Sequence, residues 1–216
     1  MNNLTELVFI LDRSGSMRGL EADTIGGFNS LIEKQKQEAG AAFVSTILFD
    51  DKIEVLHNRV PLECVAPMTG RDYYVRGGTA LLDAIGGAIT HISNIHRHTW
   101  GRRRPSKTLF VITTDGMENA SRQYTYDKVR RMVEKEKNKY GWEFLFLGAN
   151  IDAIATANRF GIGADYATNY CCDSAGTTLN FDVLNDAIHQ ARTQSMPLTS
   201  SWKARIEEDF TTRCIL

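Results

Sequence analysis

Short apolar runs alternate with longer segments of helical periodicity along most of this chain. Such alternation is typical of βαβ units, in which helices cover both faces of a largely parallel sheet. The first run, LTELVFILD, is apolar almost throughout, which predicts a central strand buried on both faces. Only Asp50 and Asp51 separate the second run from the third, so we expect a hairpin there and one antiparallel strand at a sheet edge.

The same pattern predicts the fold class and the bounds of its elements. We expect a three-layer α/β fold with a doubly wound, Rossmann-like sheet of strand order 3-2-1-4-5-6, mostly parallel and flanked by helices. Strands are predicted at residues 4–12, 42–49, 52–60, 107–114, 142–147 and 165–170. Helices are predicted at residues 24–38, 79–95, 126–140, 151–160 and 179–191.

The end of the chain is set apart by a Ser/Thr-rich stretch that contains Met196-Pro197-Leu198. We therefore divide the chain into one domain at residues 1–195 and a C-terminal tail at residues 196–216. Trp202, Ile206 and Phe210 share one stripe of a short amphipathic helix in this tail. We expect the helix to dock on its own domain, and the alternative is a segment that engages a partner or switches the domain by moving.

Composition restricts the classes of partner. The 216 residues include 25 Lys and Arg against 26 Asp and Glu, and this net charge of −1 does not favour nucleic acid as a partner. No apolar run approaches the ~20 residues of a membrane helix, and the first residues lack the basic region of a signal peptide. We therefore expect a cytoplasmic protein without a membrane partner.

The cysteines carry no redox or zinc pattern. Cys64, Cys171, Cys172 and Cys214 form no CxxC pair, and a bond between the two adjacent cysteines would be strained. We expect buried free thiols at these positions.

The strongest functional signal follows the first predicted strand. Asp12, Ser14 and Ser16 place one carboxylate and two hydroxyls at every second residue, a spacing that can turn three oxygens toward one point. Gly15 gives this loop its backbone freedom. For this segment alone the alternative is an ordinary polar turn in which Ser16 caps a helix.

Two later segments add oxygen ligands. Thr79 follows two glycines at the start of a predicted helix, and Asp115 comes directly after the fourth predicted strand. Since the carboxyl ends of parallel strands gather at one sheet edge, we expect Asp12 and Asp115 to face each other where the strand order reverses. Two carboxylates and three hydroxyls suit Mg²⁺ or Mn²⁺, and the sequence places no soft ligand near them. An open coordination position would accept an incoming carboxylate.

These residues resemble the metal-ion-dependent adhesion site (MIDAS) of von Willebrand factor type A (vWA) domains, which also occurs in the inserted domains of integrins. The matching segments are DRSGSM, GGTALLDAI and ITTDGMEN, and the similar element order runs from about residue 4 to residue 191. The resemblance implies that Asp12, Ser14, Ser16, Thr79 and Asp115 hold the cation. It also implies a partner protein whose Asp or Glu completes the coordination, and a binding module rather than an enzyme.

Two other functions stay open. The chain is a scaffold or regulatory subunit if its metal is purely structural, and small stand-alone bacterial vWA proteins resemble parts of stress- or tellurite-resistance systems or of chelatase and chaperone assemblies. A Mg²⁺-dependent hydrolase is the other alternative. It is disfavoured because a haloacid-dehalogenase-like phosphatase needs a second aspartate where this chain has Ser14. Neither a phosphate loop nor GxGxxG follows the first strand.

A rim of side chains around the expected metal would set partner specificity. Met17, Tyr73 and Tyr74 would supply apolar surface around a charged centre, as in an interface hot spot. The full set expected on this rim is Arg13, Met17, Arg18, Tyr73, Tyr74, Arg76, Glu118 and Asn119. The sequence leaves the identity of the partner and the oligomeric state open.

Overall fold

The structure, a computed structural model, describes residues 4–194 and 196–214, except the side chain of residue 102. Within these residues six strands form one sheet in the order β3-β2-β1-β4-β5-β6. The edge strand β3 runs antiparallel to β2, and the other neighbouring pairs are parallel. The predicted strand order and the antiparallel edge are therefore confirmed. The strands are β1 (Thr5–Asp12), β2 (Ala42–Phe49), β3 (Ile53–Pro61), β4 (Lys107–Thr114), β5 (Glu143–Gly148) and β6 (Ala167–Asn169).

Helices cover both faces of the sheet, as the three-layer α/β prediction requires. They are α1 (Glu21–Lys36), α2 (Leu81–Arg97), α3 (Tyr126–Tyr140), α4 (Ala153–Arg159), α5 (Ser174–Thr193) and α6 (Ala204–Arg213). Leu7, Phe9 and Leu11 of β1 enter the apolar core under α1, α5 and α6. Val8 and Ile10 enter the opposite core under α2, α3 and α4. Among the described residues, no helix has the length and apolar character needed to cross a membrane.

Capping residues explain several differences from the predicted bounds. α5 begins at Ser174 rather than at residue 179, because the Asp173 side chain accepts a hydrogen bond from the Gly176 N–H at 2.7 Å. α1 begins at Glu21, where acidic residues in the first turn favour the positive end of the helix dipole. β6 is shorter than predicted because residues 164–166 form a 3-10 turn.

The C-terminal tail packs against the domain. Trp202 and Ile206 are buried, and the indole Nε1 of Trp202 donates a hydrogen bond to the carbonyl oxygen of Asp165 at 2.9 Å. The Lys203 ammonium donates to the carbonyl oxygen of Ala167 at 2.9 Å. The tail helix α6 therefore lies against α5 and β6.

A disulfide joins Cys171 to Cys214, so the expectation of free thiols is wrong for this pair. The two cysteines are 43 residues apart in sequence, and their Cα atoms lie 6.0 Å apart. Their contact depends on the docking of α6, which cysteine spacing alone does not reveal. Cys64 and Cys172 are free, as expected, but Cys64 is exposed and Cys172 is only partly buried, so the expected burial is wrong for both.

Candidate metal centre

Asp12 ends β1 and is almost fully buried, with 1% of its surface exposed. Its Oδ1 accepts a hydrogen bond from the Ser14 N–H at 2.7 Å, and its Oδ2 accepts one from the Thr114 hydroxyl at 2.6 Å. Thr114 is the last residue of β4, directly before Asp115. These bonds hold the Asp12 carboxylate between the carboxyl ends of β1 and β4, where the strand order reverses.

The three hydroxyl residues and Asp115 meet at the same edge. Ser14 Oγ lies 3.0 Å from Ser16 Oγ, and Ser16 Oγ donates a hydrogen bond to Asp115 Oδ1. A Cβ placed on Gly116 would lie 3.2 Å from Ser16 Oγ and 3.4 Å from Thr79 Oγ1, so both hydroxyls border the same small space. The structure thus brings all five expected ligand residues together.

The Asp12 and Asp115 carboxylates are both buried. Desolvation raises the pKa of Asp12 to about 6, although hydrogen bonds from neighbouring groups oppose the shift. Desolvation also raises the pKa of Asp115. Within residues 4–194 and 196–214, neither carboxylate forms an ion pair with a Lys, Arg or His side chain. A divalent cation would supply the missing positive charge, so the electrostatics of the cluster fit a metal.

The donor set fits a hard cation. All five side chains offer oxygen atoms, which Mg²⁺ and Mn²⁺ prefer in octahedral coordination. In the part of the chain that the structure describes, no group of three or more His, Cys, Asp and Glu side chains could hold a metal, so the candidate centre depends on its hydroxyls. Ser16 is exposed whereas Asp12 and Asp115 are buried, and solvent therefore reaches the cluster from the Ser16 side.

Arg13 does not lie on the expected rim, because its side chain is fully buried. Its Nε donates to Asp50 Oδ2 at 2.8 Å, and its Nη2 donates to Glu54 Oε2 at 2.7 Å. Its Nη1 donates to the carbonyl oxygen of Asp72 at 3.0 Å. Arg13 thus connects the loop after β1 to the β2–β3 hairpin and to the loop that contains Asp72. Its guanidinium is used in these buried contacts, so the predicted position on the partner-binding rim is wrong.

Tyr73 and Met17 are also buried rather than on the rim, with 1% and 4% of their surfaces exposed. The Tyr73 hydroxyl donates a hydrogen bond to the carbonyl oxygen of Asp12. Burial raises the pKa of this phenol, so it stays protonated and can donate. Tyr73 therefore supports the Asp12 loop, and neither buried side chain faces a partner.

Glu118 and Asn119 use their side chains to hold the segment around Thr79. Glu118 Oε2 accepts the Leu82 N–H at 2.8 Å, and Oε1 accepts the Ser121 N–H at 2.8 Å. Asn119 Oδ1 accepts the Thr79 N–H at 2.8 Å. The first turn of a helix has N–H groups without intrahelical partners, and Glu118 satisfies one of them in α2. The two side chains therefore position a ligand residue, which the rim prediction did not anticipate.

Four of the expected rim residues reach the surface: Arg18, Tyr74 and Asn119 are exposed, and Arg76 is half-buried. Arg76 Nη1 donates to the Tyr74 hydroxyl at 2.8 Å, and Tyr74 is 42% exposed. Met117, two residues after Asp115, is 73% exposed and was missed by the sequence analysis. We call Arg18, Tyr74, Arg76 and Met117 the exposed rim.

Cys172 is a second residue that the sequence analysis missed at this centre. Its Sγ donates a hydrogen bond to Asp115 Oδ2 at 3.6 Å. Burial and the nearby charge of Asp115 raise the pKa of this thiol to about 11. The two residues are 57 positions apart, so no local motif joins them. The one available signal was that Cys172 follows the last predicted strand, whose carboxyl end reaches the same sheet edge.

No protein-family model matches the chain, and the curated proteins contain no match to it. Solved structures do match it. Proximal thread matrix protein 1 from the mussel byssus, in a structure with a zinc-occupied MIDAS motif, shares 12% identity at a TM-score of 0.57 and covers 86% of this chain and 46% of that one. A mutant of the PilB minor pilin from Streptococcus sanguinis shares 14% identity at a TM-score of 0.56. The match covers 89% of this chain and 63% of that one.

A von Willebrand factor type A structure from Catenulispora acidiphila shares 13% identity at a TM-score of 0.55 and covers 85% of this chain and 42% of that one. The chain therefore spans about half the length of the solved structures that it matches. At these identities the likeness establishes a vWA-like fold, and it does not extend to activity.

Proposed function

We propose that this chain is a divalent-metal-dependent protein-interaction module that binds an acidic side chain of a partner protein. The observation that carries this proposal is the pair of buried carboxylates, Asp12 and Asp115, which lie beside three hydroxyls and, among the residues that the structure describes, form no ion pair with a cationic side chain. When bound, Mg²⁺ or Mn²⁺ supplies positive charge and a coordination position that a carboxylate oxygen can fill.

The five candidate ligand residues would have different roles at such a site. Asp12 and Asp115 supply negative charge, and the hydroxyls of Ser14, Ser16 and Thr79 supply neutral ligands. Because three of the five side chains are neutral, the cation would keep positive charge toward an incoming carboxylate when Asp12 or Asp115 acts through a water molecule. Ser16 is exposed, and its side of the cluster is therefore the side from which a partner approaches.

The exposed rim suits an acidic partner. Arg18 is exposed two residues after Ser16, and complementary charge raises the association rate with an anionic surface, whereas the Arg76 guanidinium is already paired with Asp50. Tyr74 and Met117 expose apolar surface that a partner would cover. We expect the rim to contribute affinity in addition to the metal-bound carboxylate.

The comparisons support a metal at this edge of the fold. The mussel byssus protein, whose fold matches this chain, has zinc in a MIDAS motif, and the five residues of this chain that resemble such a motif lie at one edge of its sheet. The cytoplasmic location stays a prediction. The Cys171–Cys214 disulfide is a feature that persists more often in oxidising compartments.

A scaffold or regulatory subunit with a structural metal is the second candidate function. It is favoured by the engagement of both Asp12 oxygens in hydrogen bonds within the chain, which suits a cation that stabilises the loop rather than one that recruits a ligand. Membership of a stress-resistance, chelatase or chaperone assembly belongs to this candidate. Hydrolysis has less support, since Ser14 stands where a second catalytic aspartate would be needed.

Acetate can serve as a probe for an acidic side chain. We would load the full chain with Mn²⁺ and measure the relaxation of the acetate methyl protons, because a carboxylate bound to paramagnetic Mn²⁺ relaxes faster than a free one. Neutral acetamide is the matched control probe, and Ser16→Ala is the matched variant at an exposed ligand.

The interaction module predicts that acetate relaxes faster than acetamide with the wild-type protein and that the difference falls in Ser16→Ala. Equal relaxation of the two probes by a protein that holds Mn²⁺ would contradict metal-dependent carboxylate binding and favour the structural-metal alternative.

A further inference from the structure

A polar cavity opens at the end of the sheet opposite the candidate metal centre. Its walls contain the first residues of β1 and β4, the turn after α1 and the end of α5, and its volume is about 260 Å³. We propose that Lys107 and Arg192 make this cavity a binding site for the phosphate group of a small molecule. The site is separate from the candidate metal centre, which lies at the carboxyl ends of the same two strands.

Two cationic side chains line this cavity, and among the described residues neither forms an ion pair with an Asp or Glu side chain. Arg192 is 9% exposed, and its guanidinium donates to the carbonyl oxygens of Gln35 at 2.8 Å and Gly40 at 2.6 Å. The Lys107 ammonium donates to the carbonyl oxygen of Ala191. These carbonyl groups accept hydrogen bonds but carry no formal charge, so they do not neutralise the two positive charges.

Burial makes the positive charge of Arg192 energetically costly. Desolvation lowers the pKa of its guanidinium, and the charge of Glu38 opposes this shift. Glu38 is itself engaged with His189, since its Oε2 lies 2.8 Å from His189 Nδ1. An anion in the cavity would supply the formal negative charge that no described carboxylate gives Arg192 through an ion pair.

The cavity also keeps hydrogen-bond donors for the oxygens of an anion. An ammonium group has three N–H donors and a guanidinium has five. Lys107 gives one donor to Ala191, whereas Arg192 uses its Nη1 and Nη2 groups and its Nε donates to no described residue. The Gln194 side chain also lines the cavity, and its Oε1 accepts from Gln190 at 3.2 Å, which leaves its amide N–H groups as donors. Charged donors bind phosphate oxygens more strongly than neutral donors do.

The charge and size of the cavity favour a phosphate group. A phosphate group carries close to two negative charges at neutral pH and so matches two cations, whereas a carboxylate carries one. The cavity volume lies just below the usual range of small-molecule sites, about 300–1,000 Å³, and therefore suits a phosphate with at most a small organic group. Residues 102–107, RRRPSK, include four cationic residues and no acidic one, and this local charge attracts anions toward the start of β4.

The test uses the full chain after chelator treatment and dialysis, so that phosphate has no bound cation to coordinate. We would titrate it with pyrophosphate, inorganic phosphate and acetate by calorimetry at fixed ionic strength. Lys107→Met removes one cation and keeps an apolar stem, and Lys107→Arg restores the charge. Lys34→Met is the matched control, because Lys34 pairs with Asp182 at the surface and does not line the cavity. Circular dichroism would establish that each variant is folded.

We expect the wild type to bind about one phosphate or pyrophosphate per chain and to bind acetate about tenfold or more weakly. The phosphate affinity should fall about tenfold or more in Lys107→Met, because a charge-assisted hydrogen bond is lost. It should stay within about threefold of wild type in Lys107→Arg and in Lys34→Met.

Three results would overturn this inference: no saturable binding of phosphate or pyrophosphate by the wild type, equal affinities for acetate and phosphate, or the same phosphate affinity in Lys107→Met and Lys34→Met. The first would show that the carbonyl contacts alone satisfy the two cations. The last would show that binding does not depend on this cavity. Because the titrations are made without metal, none of these results alters the proposed function of the metal centre.

Discussion

The Thr114 hydroxyl donates a 2.6 Å hydrogen bond to Oδ2 of Asp12, and this bond links the carboxyl ends of β4 and β1 at the candidate metal centre. Both residues are almost fully buried. Hydrogen-bond partners outside a ligand set orient the ligands and tune metal affinity. Thr114 therefore has a role in the centre although it is not one of the five expected ligands.

Thr114→Val removes this donor with little change in side-chain shape. We expect metal affinity to fall about tenfold, and the free energy of unfolding to fall by about 1–3 kcal/mol because a buried acceptor loses its partner. Calorimetry and denaturant unfolding measure the two effects. Thr113→Val is the matched control, since adjacent strand residues point to opposite sheet faces. Wild-type affinity in Thr114→Val would show that the bond does not support the centre.

Arg13 and Arg76 donate to the same atom, Asp50 Oδ2, both at 2.8 Å, but only Arg13 is fully buried. Removing one partner of a buried ion pair leaves an uncompensated charge. We expect Arg13→Met to lower the free energy of unfolding by about 3 kcal/mol and Arg76→Met to have a much smaller effect. Equal losses in urea unfolding would show that burial does not decide the strength of these pairs.

The Cys171–Cys214 disulfide closes a loop over 43 residues of sequence. In the chain-entropy description, a cross-link of this span stabilises the folded state by about 4 kcal/mol. We expect Cys214→Ser to unfold at lower denaturant concentration, whereas Cys64→Ser unfolds as the wild type does. A thiol count on the denatured, unreduced wild-type protein checks directly that one disulfide is present. Two reactive thiols agree with the disulfide, and four contradict it.

His57 introduces a pH dependence that is separate from the metal centre. Its ring is buried, its Nδ1 lies 3.0 Å from Thr46 Oγ1, and desolvation lowers its pKa below the ordinary value of 6.5. The unfolded chain takes up a proton at pH values where the folded chain does not. The stability contributed by neutral His57 is therefore full above about pH 6.5 and falls as the pH drops toward the lowered folded pKa.

Between about pH 7.5 and pH 5.5 we expect the free energy of unfolding to fall more for the wild type than for His57→Gln. The comparison with the variant cancels the titration of all groups that the two proteins share. The same pH slope for both proteins would exclude this role of His57.

The fold, and the meeting of the five candidate ligand residues at one sheet edge, were predictable because each rests on local pattern. The buried strand β1 is apolar almost throughout, and a two-residue connection predicts the β2–β3 hairpin. The topology of a doubly wound sheet then gathers Asp12 and Asp115 at one edge. Both steps need only periodicity and connection lengths, which a single sequence contains.

The rim was predicted poorly because exposure depends on long-range contacts. The Arg13 side chain is buried where it pairs with Asp50 and Glu54. The Glu118 side chain accepts a hydrogen bond from the Leu82 N–H in the first turn of α2. Cys172 reaches Asp115 through the tertiary fold alone. In each case the partner lies more than 30 residues away, so no motif around the residue carries the information.

The most direct test of the account is a calorimetric titration of chelator-treated protein with Mg²⁺ and Mn²⁺, run beside Asp12→Ala. Circular dichroism would establish that the variant is folded, and melting temperatures with and without metal would check that binding stabilises the native state. The account predicts that the wild type binds about one ion per chain and gains melting temperature, and that folded Asp12→Ala does neither. Wild-type affinity in Asp12→Ala, or no binding by the wild type, would contradict it.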